Sequence, residues 1–147
     1  MFYVSLGSFD HHANLLGAHG ALLADLGASM RAFYDATVEL NVADRVTAFT
    51  ASDLGRTLTS NGTGSDHGWG SMQFVLGGAV RGGQYYGAVP VLADNGPDDV
   101  DQGRLIPTTS VEQYAATMAS WFGVSDGDMP TVLPNIGNFN QRNLWFV

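Results

Sequence analysis

Hydrophobic positions change their period several times along the chain, and each change predicts an element. Phe2–Leu6 is a continuous apolar run, too short for a helix and closed by Gly7, which reads as a buried strand. From about Leu15 to Leu40, the positions Leu16, Leu23, Leu26, Met30, Phe33 and Thr37 follow the helical period and predict one long amphipathic helix. Gly17, Gly20 and Gly27 either weaken that helix or allow close packing along it. After a polar connector, Val46–Ala51 is a second strand-like run. Strand, helix and strand compose a βαβ unit, whose strands run parallel and exit on the same edge of the sheet. Asp10 and Asp53, just past the two strands, are therefore expected on one edge, where α/β proteins place their ligands.

The polar segment that follows Ala51 extends through Gly70 and is expected to be a loop rich in Gly, Ser and Thr. Gln73–Val80 fits a strand, a helix or a mixture. Tyr85–Val91 reads as another short strand, and Ala93–Arg104 as an exposed acidic loop. Ser110 with Gln113 three residues on has the form of a capping box, opening a helix that runs to Trp121 or Phe122 and stops at Gly123. From Pro130 to Val147 the chain mixes Pro, Gly and Asn with isolated large apolar residues, and is expected to pack irregularly on the body. The pattern as a whole predicts one α/β domain spanning residues 1–147, with a parallel sheet, flanking helices and an irregular C-terminal tail.

Composition narrows the partners. The 147 residues carry six arginines, no lysine and fourteen acids, giving a formal charge of −8. The arginines stand singly, so nucleic acid and anionic membrane surfaces are poor partners. No run approaches the roughly 20 apolar residues needed to span a bilayer. The absence of cysteine removes disulfides, thiolate ligands and thiol nucleophiles, leaving His, Asp, Asn and water for any metal. The N-terminus lacks the pattern of a signal peptide, and its start directly on an apolar run leads us to expect that upstream sequence is missing.

Chemistry is concentrated in two stretches. In Phe9–His12 one carboxylate and two imidazoles fall within three positions, a set able to serve a divalent ion; the alternative is that Asp10 caps the helix and the histidines are solvated. In the second stretch, Asp53 either serves the same point or closes its strand with an Asx turn. Asp66 and His67 lie between glycines that let both side chains turn to one point, with Trp69 to cover it. Arg56 suits the grip of a phosphate, sulfate or carboxylate, or else a structural ion pair to Asp53 or Asp66. His19 falls on the helical stripe and is expected to be a core or boundary residue bonded to a carbonyl. No nucleophile elbow, P-loop or dinucleotide fingerprint is present.

The segments VSLGSFDHHAN, TASDLGRTLTSNGTGSDHGWG and FVLGGAVRGGQYYG resemble, in order, the C-terminal part of a bacterial family of unknown function that is usually exported through the twin-arginine route. That family is grouped with the alkaline phosphatase and sulfatase superfamily. The resemblance implies a parallel α/β sheet whose strand-exit loops hold divalent metal beside a nucleophile that attacks a phosphate or sulfate ester. By position it implies Asp10, His12, Asp53 and His67 as ligands of a divalent metal, with Zn, Mn, Mg and Ca all open. Arg56 and Asn61 are the expected contacts to an anionic ester substrate. Leu54 stands where the superfamily usually has a second histidine, His11 where a threonine is usual, and Gly70–Phe74 reads GSMQF where relatives tend to read GGHHF. The superfamily nucleophile and one more aspartate belong to an N-terminal half that these residues do not contain.

Two functions remain open on these grounds. One is a metal-binding relative of phosphate- and sulfate-ester hydrolases, incomplete for catalysis by itself. The other is a non-catalytic structural or assembly protein that keeps the fold. Either way, a partial sheet predicts a homo-oligomer or a second chain over the exposed edge, and the resemblance implies a periplasmic or secreted location.

Overall fold

In the computed structural model, which describes residues 1–147, two long helices, one single-turn helix and two small antiparallel sheets are joined by long stretches of irregular chain. The first helix, α1 (Leu15–Glu39), is the long one expected. Its most sheltered side follows Leu15, Ala18, His19, Leu22, Leu26, Met30, Tyr34 and Thr37, a run of helical spacings. Leu16, Leu23 and Phe33, expected on the packed face, are exposed instead, Leu16 at 95%. Of all its residues only Thr37 is fully buried.

After a 3₁₀ turn at Ala43–Arg45 come four short strands, β1 (Thr47–Phe49), β2 (Gly55–Ser60), β3 (Ser65–Gly68) and β4 (Val75–Gly77). β1 pairs antiparallel with β4, and β2 antiparallel with β3. The architecture is thus mixed α and β, but the expected parallel sheet and βαβ unit are absent. Phe2–Leu6 makes no ladder, and Phe2 is 100% exposed. An apolar run supplies side chains for burial; it becomes a strand only when another strand offers its backbone groups. β1 finds that partner in β4, from the segment whose structure was open between strand and helix, and Tyr85–Val91 finds none.

The segment Gly55–Gly68, expected to be a loop, is a β-hairpin. Gly55 faces Gly68 and Arg56 faces His67, but Ser60 faces Ser65, so β2 carries a bulge between Arg56 and Ser60. Thr57 repairs part of the interrupted ladder: its Oγ1 accepts from the Asp66 amide at 3.1 Å and donates to the Thr59 carbonyl at 2.8 Å. The turn is closed by Asn61, whose Oδ1 accepts from Gly64 N at 2.9 Å.

The second helix, α2 (Val111–Trp121), begins at the expected capping box: Gln113 N donates to Ser110 Oγ at 3.1 Å, and Ser110 N to Gln113 Oε1 at 2.9 Å. It ends at Phe122, before Gly123 at φ +105°. Ala116 of α2 packs with Met129 of a one-turn helix, α3 (Met129–Val132), and with Ile136 to form the small core. The remaining tail is irregular, as expected, and is pinned by Leu144 N donating to Thr117 Oγ1 at 2.8 Å. Ala93–Arg104 is irregular and docks on β2 through Leu58 N and the Gly103 carbonyl at 3.0 Å.

Candidate functional site

Backbone hydrogen bonds attach the Phe9–Asn14 loop to the hairpin. Ser65 N donates to His11 O at 3.1 Å, and Leu15 N to Thr63 O at 3.0 Å. The second of these satisfies the first amide of α1, whose N-cap, Asn14, contributes no side-chain bond. Asp10 is therefore not the helix cap, and its carboxylate is free to face β3. His11 is not solvated either: it is 8% exposed, with its ring 5.5 Å from that of His19. His19 lies on the sheltered side of α1 but lacks the expected carbonyl partner, its Nδ1 being buried without a hydrogen bond.

Three donor atoms converge on one point. His12 Nε2 is 3.0 Å from His67 Nε2 and 3.1 Å from Asp10 Oδ1, and His67 Nε2 is 3.0 Å from the same oxygen. All three side chains are about half exposed, so the point is open to solvent. A carboxylate oxygen carries only lone pairs, and each imidazole nitrogen carries one proton or none. Such a convergence is stabilised by protons or by a cation placed among the three atoms. Atoms bound to one divalent ion at ~2.0–2.2 Å, at octahedral or tetrahedral angles, stand about 2.8–3.6 Å apart, so the residues present fit a metal.

Two of the three side chains, Asp10 and His12, are held from behind. Arg56, opposite His67 across the hairpin, gives Nη1 to Asp10 Oδ1, Nη2 to the Ser65 carbonyl, and Nε to Ser65 Oγ at 3.2 Å. Burial pushes the Asp10 carboxyl up, but the hydrogen bonds from Arg56 and His67 and the charges of His12 and His67 outweigh it and hold the group below its ordinary value. On the far side of the His12 ring, Nδ1 lies 3.2 Å from Asp66 Oδ1. That oxygen also accepts from Asn61 Nδ2 at 2.9 Å, and the same amide reaches the His12 carbonyl at 3.1 Å. Asp66 is held below the usual carboxylate value first by the Asn61 amide and then by His12, against the opposing effect of burial.

Of the residues expected to hold metal, then, Asp10, His12 and His67 come together. Asp53 does not join them; it is an exposed residue in the bend between β1 and β2. The shared-edge argument that placed it there needed parallel strands, and β1 is antiparallel to β4. Arg56 and Asn61, expected to meet substrate, spend their hydrogen bonds on Asp10, Ser65, His12 and Asp66. Trp69, expected to cover the point, is more than half exposed. The position of Asp66 behind His12 was missed because sequence spacing does not say which of two adjacent strand residues faces a distant loop.

The model of a family described as protein of unknown function, DUF1501, matches residues 1–134. The chain belongs to the DUF1501 family. No curated protein and no solved structure matches it. The matched span takes in both halves of the DUF1501 chain's candidate metal centre, from Asp10 to His67.

Proposed function

We propose that this DUF1501 chain is a divalent-metal-binding domain related to the alkaline phosphatase and sulfatase superfamily, with the ion held by Asp10, His12 and His67. The observation that carries the reading is the 3.0–3.1 Å triangle formed by one carboxylate oxygen and two imidazole nitrogens. Two imidazoles with one carboxylate favour zinc or manganese over magnesium and calcium, which prefer all-oxygen shells. A bound ion would supply Lewis-acid polarisation of a phosphate or sulfate ester. Arg56 fixes the carboxylate and the backbone of β3. The triangle itself is made of ligand-type groups, Asp10, His12 and His67, so metal binding is the activity proposed for the chain by itself. Twin-arginine export, and with it a periplasmic or secreted location, belongs to the same proposal and is tested by fractionating cells that make the native protein.

Calorimetric titration of metal-stripped protein with zinc, manganese and calcium tests the reading. Zinc and manganese are expected to bind at one site, calcium weakly, and His67→Ala is expected to abolish binding. Equal heats for the wild type and His67→Ala would overturn it.

A second reading, assembly without catalysis, rests on a different observation: Phe2, Tyr3, Val4 and Leu16 are almost wholly exposed. Isolated apolar residues on a surface are ordinary, whereas a continuous run of them marks a contact surface. A large assembly with no metal-dependent turnover of a generic phosphate or sulfate ester supports this reading, and an active monomer defeats it.

A further inference from the structure

The acidic residue beside His67 faces away from the triangle, and what it touches gives it a separate role. Asp66 Oδ1 accepts from Asn61 Nδ2 at 2.9 Å and lies 3.2 Å from His12 Nδ1. A carboxylate oxygen can only accept, so this contact is a hydrogen bond only when Nδ1 carries the hydrogen. In the neutral ring the other nitrogen, Nε2, is then left with a lone pair, and Nε2 is the atom that points at Asp10 and His67. We infer that Asp66, oriented by Asn61, is a positioning residue that locks His12 in the Nδ1–H tautomer and so presents Nε2 to a divalent cation.

The surrounding bonds show why Asp66 can do this rigidly. Its own amide is tied to Thr57 Oγ1 at 3.1 Å across the bulge of β2, and Asn61 is tied at its Oδ1 by the Gly64 amide at 2.9 Å. The Asn61 amide also reaches the His12 carbonyl at 3.1 Å, so one side chain fixes the backbone of His12 and the carboxylate that orients its ring. Adjacent strand residues point to opposite sides. His67 therefore meets one nitrogen of the His12 ring and Asp66 the other, and the Asp-His pair divides into a ligand and the support of another ligand. Carboxylate–histidine–metal arrangements of this kind raise the basicity of the ligating nitrogen, and their loss weakens metal binding about 10–100-fold.

This inference rests on the metal reading above, and its test separates the two. Long-range proton–nitrogen spectra of the metal-stripped protein, above the pH at which its histidines are neutral, report the tautomer of His12 without any metal. The wild type is expected to show Nδ1–H, and Asp66→Asn a mixture or the Nε2–H form. Zinc titration of Asp66→Asn is expected to show a loss of about 10–100-fold in affinity with the stoichiometry kept, and Asn61→Ala a smaller loss. An Nε2–H tautomer in the wild type overturns the inference whether or not the variants fold, and unchanged zinc affinity in folded Asp66→Asn overturns it too. A wild type that shows Nδ1–H but binds no zinc defeats the metal reading and leaves the tautomer lock standing.

Discussion

Gly64 lies so close to His12 that a Cβ built on it would stand 2.6 Å from the His12 carbonyl oxygen. The contact is backbone against backbone, so no side chain can swing aside to make room. It is a tight seam between the hairpin and the Phe9–Asn14 loop, and the two halves of the candidate site lie on either side of it.

Gly64→Ala should therefore push the loop away from β3, stretching the Ser65 N to His11 O bond of 3.1 Å. Overpacking of this kind costs about 1–3 kcal/mol. Thermal unfolding is expected to fall by several degrees, and zinc affinity by more than tenfold as His12 and Asp10 move off His67. Wild-type affinity in Gly64→Ala would show that the seam does not set the site.

Ser110→Ala should act on stability alone. The capping box satisfies two amides at the start of α2, and the adjoining Gln113 also donates to the Gln141 carbonyl at 2.6 Å, tying the helix to the tail. Loss of the cap costs about 1 kcal/mol. Chemical denaturation should show that loss while zinc titration stays at the wild-type value. A change in zinc affinity would mean that α2 and the site are coupled.

How far these features were legible before the structure depends on whether their cause is local. The α2 cap was readable because Ser110 and Gln113 satisfy each other within one turn, and α1 because its period is written in consecutive residues. Phe2–Leu6 and β1 look alike as apolar runs, yet only β1 has a partner, since strand pairing is a property of two distant segments. The Gly55–Gly68 hairpin was hidden by its polar, glycine-rich character. Its glycines serve close approach: a Cβ on Gly55 would lie 2.6 Å from the carbonyl carbon of Gly70. At the site, Asp10, His12 and His67 were found through ordered motifs, whereas the supporting roles of Arg56, Asn61 and Asp66 depend on which side chain stands behind which ligand.

Acid should loosen the Ala93–Arg104 loop through Asp99. Its carboxylate accepts from Asn95 N at 2.7 Å and Asp101 N at 3.0 Å, and these amides, Asn95 first, hold the group below its ordinary value of 3.8 despite opposing desolvation. A carboxyl group lowered in the folded state stabilises it above the ordinary value. That contribution is lost as pH falls below about 4 and through the lowered value. Exchange protection of the Asn95 and Asp101 amides should accordingly drop as pH falls below about 4, and Asp99→Asn should lose the step. Protection that is flat with pH in the wild type would remove Asp99 as the cause.

The surface of the chain predicts association. A monomer of 15.6 kDa ordinarily exposes about 7,250 Å², whereas this chain exposes 9888 Å² and fully buries only 14 of its 147 residues. The excess, about 2,600 Å², is more than the roughly 800 Å² per partner of a standard interface. Much of it is apolar, including Phe2, Tyr3, Val4 and Leu16. Covering that area, with a second copy or with another chain, would supply the burial that the small core around Ala116, Met129 and Ile136 lacks. Light scattering at micromolar concentration should give a mass above that of one chain. The double variant Phe2→Ser with Leu16→Gln should shift it toward the monomer without altering the zinc stoichiometry. A wild type that remains a stable, cooperatively folded monomer would show that these residues tolerate water and that the surface is not a contact face.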